Sequence, residues 1–213
     1  MNDSLHPRVG VFGGSFDPLH LGHLWIAEAA METLRLDELR WIPAAQNPLK
    51  QNRPAASDPQ RLKMLQLATA GRPGFVVDSC ELKRGQQSFT VATLRQLRAN
   101  QPNIDLFLIV GGDSVASFPR WKQPGEILQL AKLSAVRRGG TPPIQYDVLS
   151  EFVEPDEMQA IRRREIAMPI IELSSSDVRD RLRVGRSIRY LVPAAIEAMI
   201  HAENLYREGT SEQ

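Results

Sequence analysis

One short stretch, Gly13-Gly14-Ser15-Phe16-Asp17-Pro18-Leu19-His20-Leu21-Gly22-His23, holds two of the chain's four histidines. His20 and His23 stand three residues apart where a helically spaced apolar run begins, so both imidazoles face the same way. A helix N-terminus attracts anions through its unpaired N–H groups and its macrodipole. Gly13 and Gly14 let a ligand approach the backbone closely. The combination suits a phosphate, with two imidazoles as added donors. Neither a phosphate-loop lysine motif nor a GxGxxG fingerprint is present. Two other readings fit the same residues. The histidines could be two of the three protein ligands that a catalytic zinc usually needs, the third coming from a distant residue. Or Asp17-Pro18 caps a helix that happens to carry both.

Two further constellations stand at strand ends. Ser174-Ser175-Ser176-Asp177-Val178-Arg179 opens a helix. Its serines can cap that helix, or, with an arginine one turn on, hold a phosphate. Gly111-Gly112-Asp113 follows the strongest apolar run, and a carboxylate there can bind ribose hydroxyls. Nearby, Trp121 can stack on a flat ring or pack in the core. Arg162-Arg163-Arg164 reads as a solvated helix face, as do Arg183, Arg186 and Arg189.

These residues need a scaffold, and the pattern of the chain supplies one. Short apolar runs at Val9–Phe12, Leu39–Ile42, Phe75–Val77, Asp105–Val110, Leu133–Val136 and Ile170–Leu173 read as strands. Helical spacing recurs at Leu21–Leu34, 58–70, Thr90–Asn100, from Ser174, and at Pro193–Asn204. Asp58-Pro59 has the form of an N-cap followed by proline at the first helical position. Residues 44–57 and 141–156 carry no period and read as loops. The second of these loops could cover a sheet edge or pack on another copy in a homo-oligomer. Strands alternating with helices predict an α/β fold, a Rossmann-like doubly wound parallel sheet. Such sheets bind ligands beyond the carboxyl ends of their strands, at the switch in strand order. One domain is expected over 1–213, with a core over about 8–173 and a small C-terminal helical part over about 174–205.

Composition narrows the function classes. Lys plus Arg number 26 and Asp plus Glu 25, a formal net charge of +1. A nonspecific nucleic-acid binder normally carries a large basic excess, so no nucleic-acid partner is expected. The single cysteine, Cys80, excludes an internal disulfide and a thiolate-only metal cage. No apolar run is long enough to span a bilayer, and Met1–Arg8 has no signal-peptide character. A reducing, cytoplasmic setting without a membrane partner is the expectation.

The order of these pieces resembles a known family. The loop Gly13 to His23 is similar to the (T/S)-F-D-P-x-H-x-G-H signature of the nucleotidyltransferase superfamily. Ser174 to Arg179 is similar to its S-S-T-x-I-R motif. Asn47-Pro48-Leu49-Lys50, Ser88-Phe89-Thr90-Val91-Ala92-Thr93-Leu94, and Gly111-Gly112-Asp113 through Trp121-Lys122 resemble one branch, the bacterial nicotinate-nucleotide adenylyltransferases. The likeness spans about Val9 to Ile200.

The resemblance implies transfer of AMP from ATP to nicotinate mononucleotide. The products are nicotinate adenine dinucleotide and pyrophosphate, a step of NAD biosynthesis. His20, His23 and Lys50 are then the catalytic residues. Gly13, Gly14, Ser15, Phe16, Gly111, Asp113, Ser174, Ser175 and Arg179 join the two histidines in binding ATP. Asp17, Lys50, Thr90, Asp113 and Trp121 bind the mononucleotide. Mg²⁺ arrives with ATP and is held largely by the phosphates, with no protein metal site. The sequence departs from the pattern at Leu49, where a histidine is common, at Phe89 for tyrosine, and at Ser176 for threonine. Arg53 could share the role of Lys50. Rival readings are a relative with another phosphate-bearing acceptor, a nucleotide-binding regulator without catalysis, and a metal-dependent hydrolase.

Overall fold

The computed structural model describes residues 6–46, 53–85, 87–140 and 142–207. Lys50 and the rest of 47–52 lie outside the described residues. The chain opens with β1 (Arg8–Gly14), α1 (Leu21–Thr33) and β2 (Glu38–Pro43). It continues with α2 (Asp58–Thr69), β3 (Phe75–Val77), α3 (Cys80–Arg84), α4 (Thr90–Asn100) and β4 (Asp105–Gly111). Then follow α5 (Gly112–Ser117), α6 (Pro124–Leu130), β5 (Lys132–Arg138), α7 (Pro155–Arg163), β6 (Ile166–Met168), α8 (Ser175–Arg183) and α9 (Ala194–Ala202).

The strands form one sheet in the order β3-β2-β1-β4-β5-β6, and every neighbouring pair is parallel. This is the doubly wound arrangement, with its switch point between β1 and β4. Alternation along the strands builds two cores. Phe12 of β1 and Phe107 and Ile109 of β4 face α1, α2, α8 and α9, against Ala27, Met64, Val178 and Ile196. Val9 and Val11 of β1 and Leu106, Leu108 and Val110 of β4 face α4, α6 and α7, against Leu94, Ile127 and Ile161. Burial on both faces explains why the β4 sequence reads as a continuous apolar run.

Local chemistry sets several boundaries. Ser57 and Gln60 form the capping box of α2, with proline in its first turn. Pro169 ends β6, because proline has no N–H to donate to the ladder. The last strand is therefore Ile166–Met168 and not the expected Ile170–Leu173, which continues as irregular chain toward α8. Ile170 stands 67% exposed beyond the sheet edge. Helices α3, α5 and α6 have 5, 6 and 7 residues, too short to show a helical period. The stretch 141–156 contains a 3-10 turn at Tyr146–Leu149 and the start of α7, so it is less irregular than its sequence implies. Among the described residues no helix is long and apolar enough to cross a membrane.

Candidate active site

The carboxyl ends of β1 and β4 open onto a cavity of about 480 Å³. Its apolar lining comes from Val11, Ile42, Leu108, Val110 and Ile127, and glycines 13, 14 and 111 border it. Ser88, Phe89, Thr90 and Thr93 contribute from the start of α4, and Ser114, Ser117, Arg120, Trp121 and Lys122 from α5 and the turn beyond. Of the expected binding residues, the cavity brings together Gly13, Gly14, Thr90, Gly111 and Trp121.

The N-terminus of α4 is open. Phe89 occupies the cap position without a side-chain hydrogen bond, and no acidic residue lies in the first turn. Its free N–H groups thus begin where Phe89 and Thr90 line the cavity, a setting that favours an anion. Lys122 Nζ lies 4.4 Å from the centroid of the Phe89 ring, and Trp121 packs on Phe118 with ring centroids 5.2 Å apart. The chain leaving β2 is fixed to the same wall. Ala45 N donates to Ser88 Oγ at 2.9 Å and Ser88 N to Gln46 O at 2.9 Å.

Sequence reasoning missed Glu81, which is buried and lines the cavity. Thr93 Oγ1 donates to Glu81 Oε1 at 2.5 Å and accepts from Arg84 Nη2 at 2.5 Å. The only available signal was the Glu81/Arg84 spacing of three on a very short helix. Burial and the neighbouring Asp78 carboxylate push the adjacent Cys80 thiol up to about 12, so it stays protonated and packs as a small apolar group.

On the other side of β1, the loop from Ser15 to His20 is built by close packing. Phe16 adopts φ +48°, a left-handed conformation costing a non-glycine residue roughly 1–2 kcal/mol. Burial offsets that cost. Phe16 is 1% exposed, with ring centroids 5.6 Å from Phe12, 5.5 Å from Trp41 and 5.1 Å from His23. A Cβ on Gly14 would lie 2.9 Å from the Phe16 ring, so that position requires glycine. The Phe16 side chain is therefore a packing element of the loop.

His20 caps α1 and is 4% exposed. Its ring stacks on that of His23, with centroids 3.7 Å apart and planes 25° from parallel. The His20 backbone N–H donates to His23 Nδ1 at 3.2 Å. That bond requires a lone pair on Nδ1, so the neutral His23 ring carries its proton on Nε2. The first turn of α1 has no acidic residue, leaving its positive end uncompensated. His20 and Gly22 face Met168, Ile171 and Leu173 across a narrow crevice.

Asp17, expected to contact the acceptor, has its carboxylate held within the protein. Its carboxylate is 5% exposed and accepts from Ala55 N at 2.7 Å, Ala56 N at 3.0 Å and the Tyr206 hydroxyl at 2.8 Å. The Arg179 Nη1 donates to the Asp17 carbonyl at 2.6 Å and lies 3.9 Å from the carboxylate. Ser175 Oγ donates to Pro18 O at 2.8 Å. Ser174 closes a capping box with Asp177. Ser174 thus takes the capping role open to it in the sequence, and Ser175 ties α8 to the loop. Asp113 is exposed and folds its carboxylate back over Gly111. Arg61, wholly buried and unforeseen, donates from Nη1 to the Ser15 carbonyl at 2.7 Å and from Nη2 to Asp58 at 2.6 Å. Among the described residues no three His, Cys, Asp or Glu side chains converge as a metal cage.

The cytidylyltransferase-like family pattern matches residues 11–181. A protein of Rhodopirellula baltica named probable nicotinate-nucleotide adenylyltransferase is 47% identical over 199 residues, covering 93% of each chain. A protein of Herpetosiphon aurantiacus with the same name is 41% identical over 199 residues, covering 93% of this chain and 98% of its own. The Plasmodium falciparum nicotinic acid mononucleotide adenylyltransferase has been solved complexed with APC and with NaAD. Those structures superpose with TM-scores of 0.70 and 0.68 at 15% and 16% identity, covering 94% of this chain and 98% of theirs, which establishes likeness of fold. The chain belongs to the cytidylyltransferase-like nucleotidyltransferases and, within them, to the nicotinate-nucleotide adenylyltransferases.

Proposed function

We propose that this chain works as a single nucleotidyltransferase domain that transfers the adenylyl group of ATP to nicotinate mononucleotide. An oxygen of the mononucleotide phosphate attacks the α-phosphorus of ATP. The bond to the bridging oxygen breaks, and pyrophosphate leaves with nicotinate adenine dinucleotide as the other product. The observation that carries the reading is a largely apolar cavity of about 480 Å³ with an open helix N-terminus, set beside a stacked histidine pair at the β1/β4 switch point.

In this reading the nicotinate ring enters the cavity against Trp121, and its carboxylate meets the N–H groups at Thr90 and the cations Lys122 and Arg120. Asp113 holds ribose. His20 and His23, at the positive end of α1, donate to the α-phosphate and to the leaving pyrophosphate, where charge develops. Gly13, Gly14, Ser15 and Gly111 let the phosphates approach the backbone, and Arg179 adds a cation from α8. Lys50 serves the acceptor phosphate. In-line transfer of this kind asks for positioning and charge neutralisation rather than a protein nucleophile.

The donor set around the phosphates is nitrogen and backbone, poorly matched to a hard cation that prefers oxygen. Mg²⁺ would therefore enter on the triphosphate, where it neutralises charge. Charged nucleotides do not cross a bilayer unaided, which supports a cytoplasmic setting for the reaction. Purified protein with ATP and Mg²⁺ should release pyrophosphate with nicotinate mononucleotide and far more slowly with nicotinamide mononucleotide. Release with neither would overturn the reading.

A further inference from the structure

We propose that Asp17 is a positioning residue that couples the two halves of the site, and not a substrate ligand. This rests on the adenylyl-transfer reading above. The segment leaving β2 begins on the acceptor wall, where Ala45 and Gln46 are hydrogen-bonded to Ser88. It ends on the donor loop, where Ala55 N and Ala56 N both donate to the Asp17 carboxylate. That second anchor lies a few residues beyond Lys50 in the sequence. The same carboxylate accepts from Tyr206, beyond α9. Burial and the Asp17 charge push the Tyr206 phenol well above its ordinary range, so it stays a donor.

All three partners are donors, which only an ionised carboxylate accepts without conflict. Asparagine would aim its own N–H₂ at a donor whichever way the amide is turned. A carbonyl cannot replace the second oxygen, so at least one buried N–H loses its partner. Arg61 on the Ser15 carbonyl and Arg179 on the Asp17 carbonyl fix the loop from two other elements. They leave the Asp17 side chain as the link to residues 55 and 56.

The test is Asp17→Asn, with Tyr206→Phe beside it. Amide hydrogen exchange, which needs no substrate, should quicken roughly tenfold at Ala55 or Ala56 in Asp17→Asn, as for one lost buried hydrogen bond. KM for the mononucleotide should rise roughly tenfold, with smaller changes in kcat and in KM for ATP. Tyr206→Phe removes one donor and keeps both amide bonds, so its acceptor KM should rise only about two- to threefold. Wild-type exchange at both alanines, or equal KM increases for both substrates, would overturn the proposal. If Asp17→Asn does not fold, an unchanged acceptor KM in Tyr206→Phe overturns it. Failure of the wild-type protein to release pyrophosphate would instead sink the adenylyl-transfer reading, leaving the exchange result to decide the role of Asp17 as a link.

Discussion

The cavity beside α4 and the loop before α1 lie on either side of the same strand, yet they are built on opposite plans. The first is a hollow of about 480 Å³ with mostly apolar lining, and an open helix end presents free N–H groups to it. The second has almost no empty space. The carbonyls of Ser15, Asp17 and Pro18 each accept a hydrogen bond from a different side chain, on α2 and α8. Phe16 fills the space between β1, Trp41 and His23. A preformed cavity selects by shape and by burial of a ring. A clamped loop selects by fixed dipoles, which need not reorganise when charge develops. On the proposed roles, the difference teaches that acceptor binding and transition-state stabilisation should be separable, and substitutions should separate them.

The largest break should come at the histidines. His20→Ala and His23→Ala should each lower kcat by about 10²–10³ or more, the usual size for one transition-state donor. Both variants should remain folded with KM for the mononucleotide near wild type, and near-normal turnover would refute the assignment. Next is Gly14→Ala. A methyl group meeting the Phe16 ring at 2.9 Å is an overpacking change, worth about 1–3 kcal/mol. Urea unfolding should show that loss, with activity falling alongside. An unchanged midpoint would mean that Phe16 can move, and the donor loop is then not rigid. The smallest effect is Trp121→Ala, which removes a stacking face worth about 0.5–1.5 kcal/mol. Acceptor KM should rise roughly three- to tenfold with kcat and KM for ATP little changed. A fall in kcat instead would show that the two regions are not independent.

The two regions were also unequally legible in the sequence. The glycines and histidines of the donor loop were visible because anion sites use those residue types at a strand-to-helix junction. What held the loop was not. Arg61 and Tyr206 act through the fold, from α2 and from beyond α9, and no local spacing connects them to Ser15 or Asp17. For the same reason the sequence could not show that the Asp17 carboxylate is held by Ala55, Ala56 and Tyr206. On the acceptor side, Thr90 and Trp121 could be singled out, but Glu81 sits on a helix of 5 residues with no period to reveal it. The parallel sheet followed from alternating elements. Its last strand did not, because an apolar run after Pro169 outweighed the three paired residues before it.

The hydrogen bond from Tyr206 to Asp17 spans 189 positions of sequence. A ribosome makes the histidine loop well before the tyrosine that helps hold that loop. The histidine loop therefore cannot gain this clamp until Tyr206 has been made. A nascent or prematurely terminated copy carries the signature in its sequence but lacks one of the clamps on it.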